Sequence, residues 1–390
     1  MRGFADGVPV EPSRKETKRL PALRLNNDSF YHGGMMSPWP YSLAYVVPLS
    51  VILGHWLGGV FYYLTPMITF GLIPLLDLMI GSDRTNLDAD ALERLSEKFG
   101  FRVITFLYVP LQISLVIWGA HVVTHEALTG FELAGFALSI GITTGGVGVT
   151  VAHELFHKKN AFEKALGHVL LMTVSYMHFY IEHLIGHHVH VATPRDPATA
   201  RRGESLYAFY VRTVSRSWLD AWRIEKQRLQ HRGYSHWGYH NRMLWFVALP
   251  VMFAAMLGSL FGWQAVFYFF VQSAVGFTLL EIVNYLEHYG LQRRELASGR
   301  YEKVNLAHAW NADQRVTNYF LFKLQRHADH HVHPLRRYQT LRHFEESPQL
   351  PTGYPGMMLL ALAPPLWRRI MHPRLDHFQQ QASATPILKD

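Results

Sequence analysis

The sequence predicts an all-α integral membrane protein: a six-transmembrane helical bundle with a histidine-rich metal site at its cytoplasmic end. Three observations predict it. Lys and Arg are absent from residues 25–83, 103–157 and 243–292. A membrane helix needs about 20 apolar residues, so each stretch has room for a helical hairpin. The basic residues lie between these blocks, as the positive-inside rule expects of cytoplasmic segments. The chain also holds 24 histidines, most of them outside the apolar blocks or at their ends.

The elements follow in order. Residues 1–35 form a polar, basic tail. A membrane domain over 36–370 has spans at about 41–64, 65–81, 101–123, 131–152, 243–261 and 263–286, the first hairpin breaking near Pro66. Residues 371–390 are a C-terminal tail. The turns near Thr65, Glu126 and Gly262 lack Lys and Arg and are expected to face outward, leaving both termini cytoplasmic. Ala165–Ile181 is fairly apolar. A simple crossing there would split the histidines between two sides, so it is expected within the bundle or at the interface. Gly141, Gly145, Gly146 and Gly148 let helix backbones approach closely. Lining a narrow tunnel is their second expected use.

Composition excludes several classes. The net charge is +8, but its layout between apolar blocks fits a membrane protein and not a nucleic-acid binder. With no cysteine, disulfides, thiolate sites and iron–sulfur or rubredoxin-type centres are excluded from this sequence. The N-terminus lacks the apolar core of a signal peptide.

Histidines cluster at helical spacing. The first cluster is His153 and His157, the second His183, His187 and His188, the third His327, His330 and His331. His288 ends the last span. Spacings of three and four put side chains on one helical face. Neutral imidazole suits iron, zinc, copper or nickel, and nine rings exceed what one ion holds, so two metals are implied. Each ring needs an acceptor for its second nitrogen, and Glu154, Glu182, Glu287 and Asp329 stand beside the clusters. Glu281 and Asn284 share helical spacing with His288, where buried ionisable groups are usually functional. Asp77 raises the same question in the second span, and Asp196 is a further candidate support. His168, His178, His231 and His372 stand alone and are expected to be surface or satisfied core residues.

Two rival sites are weaker. His153-Glu154-x-x-His157 matches the zinc protease pattern, which would use two rings and leave seven unexplained. A ferritin-like carboxylate site needs Glu-x-x-His twice, and here it occurs once, at Glu154–His157.

Longer strings carry a resemblance. Glu182–Thr199 reads EHLIGHHVHVATPRDPAT, Asn284–Leu291 reads NYLEHYGL and Leu324–Pro334 reads LQRHADHHVHP. With the string LPTGYPG at 350–356, these resemble the bacterial alkane 1-monooxygenases of the membrane desaturase and hydroxylase superfamily. The resemblance covers roughly residues 40–370. The first motif, HELFHK, has Phe156 where the family often has glycine. The resemblance implies two iron ions held by the nine histidines. It implies terminal hydroxylation of medium-chain alkanes with O2. It implies electrons from rubredoxin and an NADH-dependent rubredoxin reductase, and a bacterial inner-membrane location. A xylene-type hydroxylase or a desaturase of the same superfamily is the alternative. Arg195, Arg201, Arg202, Arg326, Arg336 and Arg337 form a basic surface that could steer an acidic donor or touch lipid headgroups.

Overall fold

In a computed structural model, residues 31–32 and 35–384 are described. Nearly all of the 1–35 tail and the last six residues lie outside them. Apart from a two-residue ladder, Tyr31–His32 with Met35–Met36, and isolated bridges in the loops, the elements of the described chain are helices.

Among the described residues six helices are long and apolar enough to cross a membrane: Trp39–Leu57, Gly59–Ile80, Phe99–His125, Gly130–Phe156, Arg242–Phe261 and Trp263–His288. The protein is a multi-pass membrane protein. The first hairpin turns earlier than Pro66 suggested. Gly58 and Gly59 both take positive φ (69° and 55°), a region open to glycine at little cost, and they end the first span. Pro66 instead sits in the first turns of the second span, where its missing N–H is tolerated. Capping side chains mark other starts. Thr129 and Glu132 form a capping box on the fourth span, and Asn241 caps the fifth.

The spans are not equivalent. In the fourth, 83% of the most apolar window is buried, against 17% in the second and 22% in the fifth. The fourth is therefore the central helix, and the second and fifth show Leu75, Leu78, Val251 and Met252 outward. Glycine makes the central position possible. A Cβ on Gly145 would lie 2.5 Å from the Cα of Gly276 on the sixth span. The two backbones touch, as small residues allow.

Ala165–Ile181 does not cross. Helix Ala161–Thr173, capped by Asn160, packs on the end of the fourth span, and Gly167 fits against Phe156. Helix Leu206–His231 follows, burying Phe209, Thr213, Ala221 and Leu229. The expected boundary at 370 is not a structural one. Helix Pro364–Ala384 runs through it, with Trp367, Met371 and Leu375 fully buried against Tyr285 and Tyr289 of the 285–291 segment. Its apolar residues recur every four positions, a helical stripe hidden in a mostly polar stretch.

Among the described residues four non-glycine positions have positive φ: Ser175, Ala192, Phe322 and Lys323. Each lies in a turn within eight residues of a clustered histidine. Such conformations cost of order 1–3 kcal/mol each and persist when their surroundings hold them. Phe322 stacks on Tyr41 and meets Tyr338 edge-on. Lys323 donates from its backbone to Asn318 and from Nζ to Gln339.

Candidate metal centre and its cavity

The structure brings all nine clustered histidines together in two groups. His153, His157, His183, His188 and His330 form one, and His187, His288, His327 and His331 the other. Within each group one nitrogen per ring lies within 4.8 Å of every other. In the first, Nε2 of His183 is 2.9 Å from that of His153 and 3.0 Å from those of His157 and His188. In the second, Nε2 of His331 is 2.9 Å from His327 and 3.3 Å from His187.

These spacings test the fit to a metal. Zinc-to-imidazole distances are about 2.0–2.1 Å, so donors at right angles around an ion of that size stand about 3 Å apart. The observed separations match. Burial holds the His157, His183, His188, His327, His330 and His331 rings well below their ordinary pKa. Burial thus favours the neutral ring, which is the form that ligates.

Local structure explains how one segment serves both groups. Residues Glu182–His187 form a π-helical turn, whose hydrogen bonds run from i to i+5. His183 and His188, five apart, reach the same group, while His187 reaches the other. At the third cluster His327 and His331 are four apart and share a group, and His330 points to its neighbour.

The outer nitrogens are held selectively. Nδ1 of His187 lies 2.9 Å from Asp196, which also accepts from Thr199 and the backbone of Ala198. Burial alone would raise the Asp196 carboxyl, but the His187 ring and the Thr199 hydroxyl outweigh it and hold it low. Nδ1 of His288 is 3.0 Å from the carbonyl oxygen of His308, which aims Nε2 inward.

Three expected acceptors face elsewhere. Glu154 pairs with Lys158 at 3.0 Å, and Asp329 with Arg336 at 2.6 Å. Glu182 is buried beside Gly186 with no ring partner among the described residues. Sequence adjacency misled here, because neighbours on a helix point about 100° apart. Glu287 does reach a ring, but on the inner side: its carboxylate is 3.1 Å from Nε2 of His327 and accepts from Tyr354. It lies beside His327 without joining the four rings as a common donor set. Glu281 accepts from Tyr176, Thr213 and Asn284, which pins three elements together. Asp77 accepts from the backbone and hydroxyl of Thr317, tying the second span to helix Arg315–Phe320.

Other expectations change as well. His178 is buried, packs on Tyr176 and Trp218, and its ring nitrogens have no hydrogen-bond partner among the described residues. Arg326 is not on the surface. It is 2% exposed and donates to the carbonyls of Leu341 and Asp83. Arg336 and Arg337 are engaged with Asp329 and Glu163. Arg195 and Arg201 remain exposed. Sequence reasoning missed the carbonyl of His308, for which no side-chain signal exists. It also missed Tyr354, which lies inside the string LPTGYPG.

A cavity adjoins both groups. Its histidine end is made by His153, His183, His327, Asn284 and Glu287. The rest is mostly apolar, from Val149, Phe179, Leu279, Leu280, Val283, Leu321, Leu324 and Met358, with Gly145 and Gly146. The Thr150 hydroxyl in its wall donates to the Gly146 carbonyl and so is already satisfied. Glu154 is committed to Lys158, and five rings surround the place where a zinc protease would use two. The arrangement does not fit peptide hydrolysis.

A membrane bundle with a divided histidine centre and an apolar cavity defines the class of membrane desaturases and hydroxylases. The fatty acid desaturase family signature matches residues 130–361. Alkane 1-monooxygenase 2 of Pseudomonas aeruginosa is 41% identical, covering 87% of this chain and 92% of its own. The alkane 1-monooxygenase of Pseudomonas putida is 41% identical, covering 84% and 83%. The hydroxylase component of a xylene/toluene monooxygenase from Pseudomonas putida is 28% identical, covering 89% and 91%. The chain belongs to the alkane 1-monooxygenase family and is a membrane oxidoreductase of the monooxygenase type.

Proposed function

We propose that this protein hydroxylates the terminal carbon of medium-chain n-alkanes, at two irons held by His153, His157, His183, His188 and His330 and by His187, His288, His327 and His331. The balance is R–CH3 + O2 + 2 e⁻ + 2 H⁺ → R–CH2OH + H2O. The observation that carries the reading is the apolar cavity ending on rings of both groups. An alkane has no polar handle, so only an apolar wall can position it, and the histidines stand where its end arrives. Bound iron would supply the O2 chemistry, since no side chain breaks an unactivated C–H bond.

The protein's own residues hold the geometry. Asp196 and the His308 carbonyl fix two rings, and Glu287, held by Tyr354, lies beside a third. With no cysteine among these 390 residues, the electrons come from a redox centre outside them, here rubredoxin served by an NADH-dependent reductase. The exposed Arg195 and Arg201 are positioned to attract an acidic partner. The histidine end faces the cytoplasm of a bacterial inner membrane, a reading supported by the basic segments on that side.

Purified protein loaded with ferrous iron, rubredoxin, its reductase and NADH should convert octane to 1-octanol. A second reading, hydroxylation of an aromatic methyl group, is favoured by the 28% identity to the xylene/toluene enzyme. Octane and toluene assayed side by side decide between them.

A further inference from the structure

The cavity is a slot between two parallel helices, and its far end is made of glycine. Gly146, Val149, Thr150 and His153 share one face of the fourth span. Gly146 is seven residues from His153, about 10 Å at 1.5 Å per residue. On the sixth span Leu279 is eight residues from Glu287, about 12 Å by the same rise. The two walls independently give the slot a similar length.

The two adjacent glycines at that end do different things. Gly145 is in contact with the sixth span: a Cβ there would lie 2.4 Å from the Gly276 carbonyl oxygen. A Cβ on Gly146 would meet nothing within 4 Å. Gly146 lies in the helical turn Thr143–Gly148 with no positive φ, so its backbone does not require glycine. Packing needs Gly145, whereas neither packing nor conformation needs Gly146. Gly146 lines the slot and is part-exposed where its neighbours are buried, so the missing side chain leaves open space beside it.

We infer that Gly146 sets the length of substrate this protein accepts, by letting a linear hydrocarbon run past the Gly145–Gly276 contact. The inference rests on the alkane reading above for its class of ligand. A side chain at this position would point into the slot and stop the chain sooner. Apolar pockets discriminate by about tenfold or more for each methylene they exclude.

The test uses the full-length protein in detergent, with Gly146→Ala, Gly146→Val and Gly146→Phe. Alkane binding is read from the rise in melting temperature across n-alkanes from hexane to hexadecane, and metal content is checked in parallel. The expected result is graded. Metal content and hexane binding stay as in the parent. The longest alkane bound shortens from Ala to Val to Phe, with affinity for the parent's longest ligands falling about tenfold or more in Gly146→Phe. An unchanged length range in Gly146→Val and Gly146→Phe overturns the inference, as does a parent protein that binds no n-alkane. Should Gly146→Phe fail to fold, the Ala and Val variants decide by the same criterion. The hydroxylase reading fails separately, if the parent binds alkanes but forms no terminal alcohol.

Discussion

The two histidine groups are built from the same segments, yet they differ in kind. The five-ring group is all nitrogen, and its central His183, like His327 and His331 of the four-ring group, has no partner for Nδ1 among the described residues. The four-ring group has two outer nitrogens fixed, by Asp196 and by the His308 carbonyl, and a carboxylate, Glu287, against its inner side. Both border the cavity, through His153 and His183 on one side and His327 on the other. One group offers five nitrogens; the other offers four, with a carboxylate beside one of its rings. Nine histidines therefore do not make a symmetric site. The supporting hydrogen bonds are concentrated on the half with fewer rings.

The largest effects should come from the rings themselves. His183→Ala should remove the metal of the five-ring group, and His288→Ala that of the four-ring group, each leaving no detectable hydroxylation. If either variant keeps full metal content, the division into five and four is wrong. Next comes the support. Asp196→Asn should weaken metal binding about 10–100-fold, with the loss confined to the four-ring group. An equal loss from both groups would erase the asymmetry.

Acid should act on the metal-free protein. Burial holds six of the clustered rings below their ordinary value, and draws His178, outside both groups, down to about 3. The unfolded chain takes up protons near pH 6.5 and the folded chain resists. The stability these rings contribute is therefore complete above about 6.5 and lost as pH falls toward their lower folded values. Melting temperature measured after chelation should drop steadily between about pH 7 and 5, and a flat profile would contradict it.

The smallest effect on the chemistry should be at Glu154. Its carboxylate compensates the buried Lys158 ammonium, which also donates to the carbonyl of Arg336. Breaking such a pair costs about 3–5 kcal/mol. Glu154→Ala should thus lower the melting temperature while metal stoichiometry in the surviving folded protein holds at the parent value. Loss of metal without loss of stability would move Glu154 into the centre.

Much of this was legible in the sequence. The three Lys- and Arg-free blocks announced six spans, because lipid excludes charge over a fixed thickness. The nine histidines were legible through spacing and through the family strings. Their division was not, since it depends on the π-helical turn at 182–187, and an α-helical reading would send His183 and His187 to the same place. The carboxylates were legible as candidates but not as roles. Glu154 and Asp329 answer to Lys158 and Arg336, partners that only folding selects. Asp196, distant from the ring motifs in helical register, turned out to hold His187. The C-terminal helix escaped because Trp367, Met371 and Leu375 are few among polar neighbours.

The most direct test of a divided two-metal centre is the metal content of protein purified in detergent, then reloaded anaerobically with ferrous iron. Such a centre predicts about two irons per chain in the parent and about one in His288→Ala. A parent that holds one iron, or none after reloading, would contradict it.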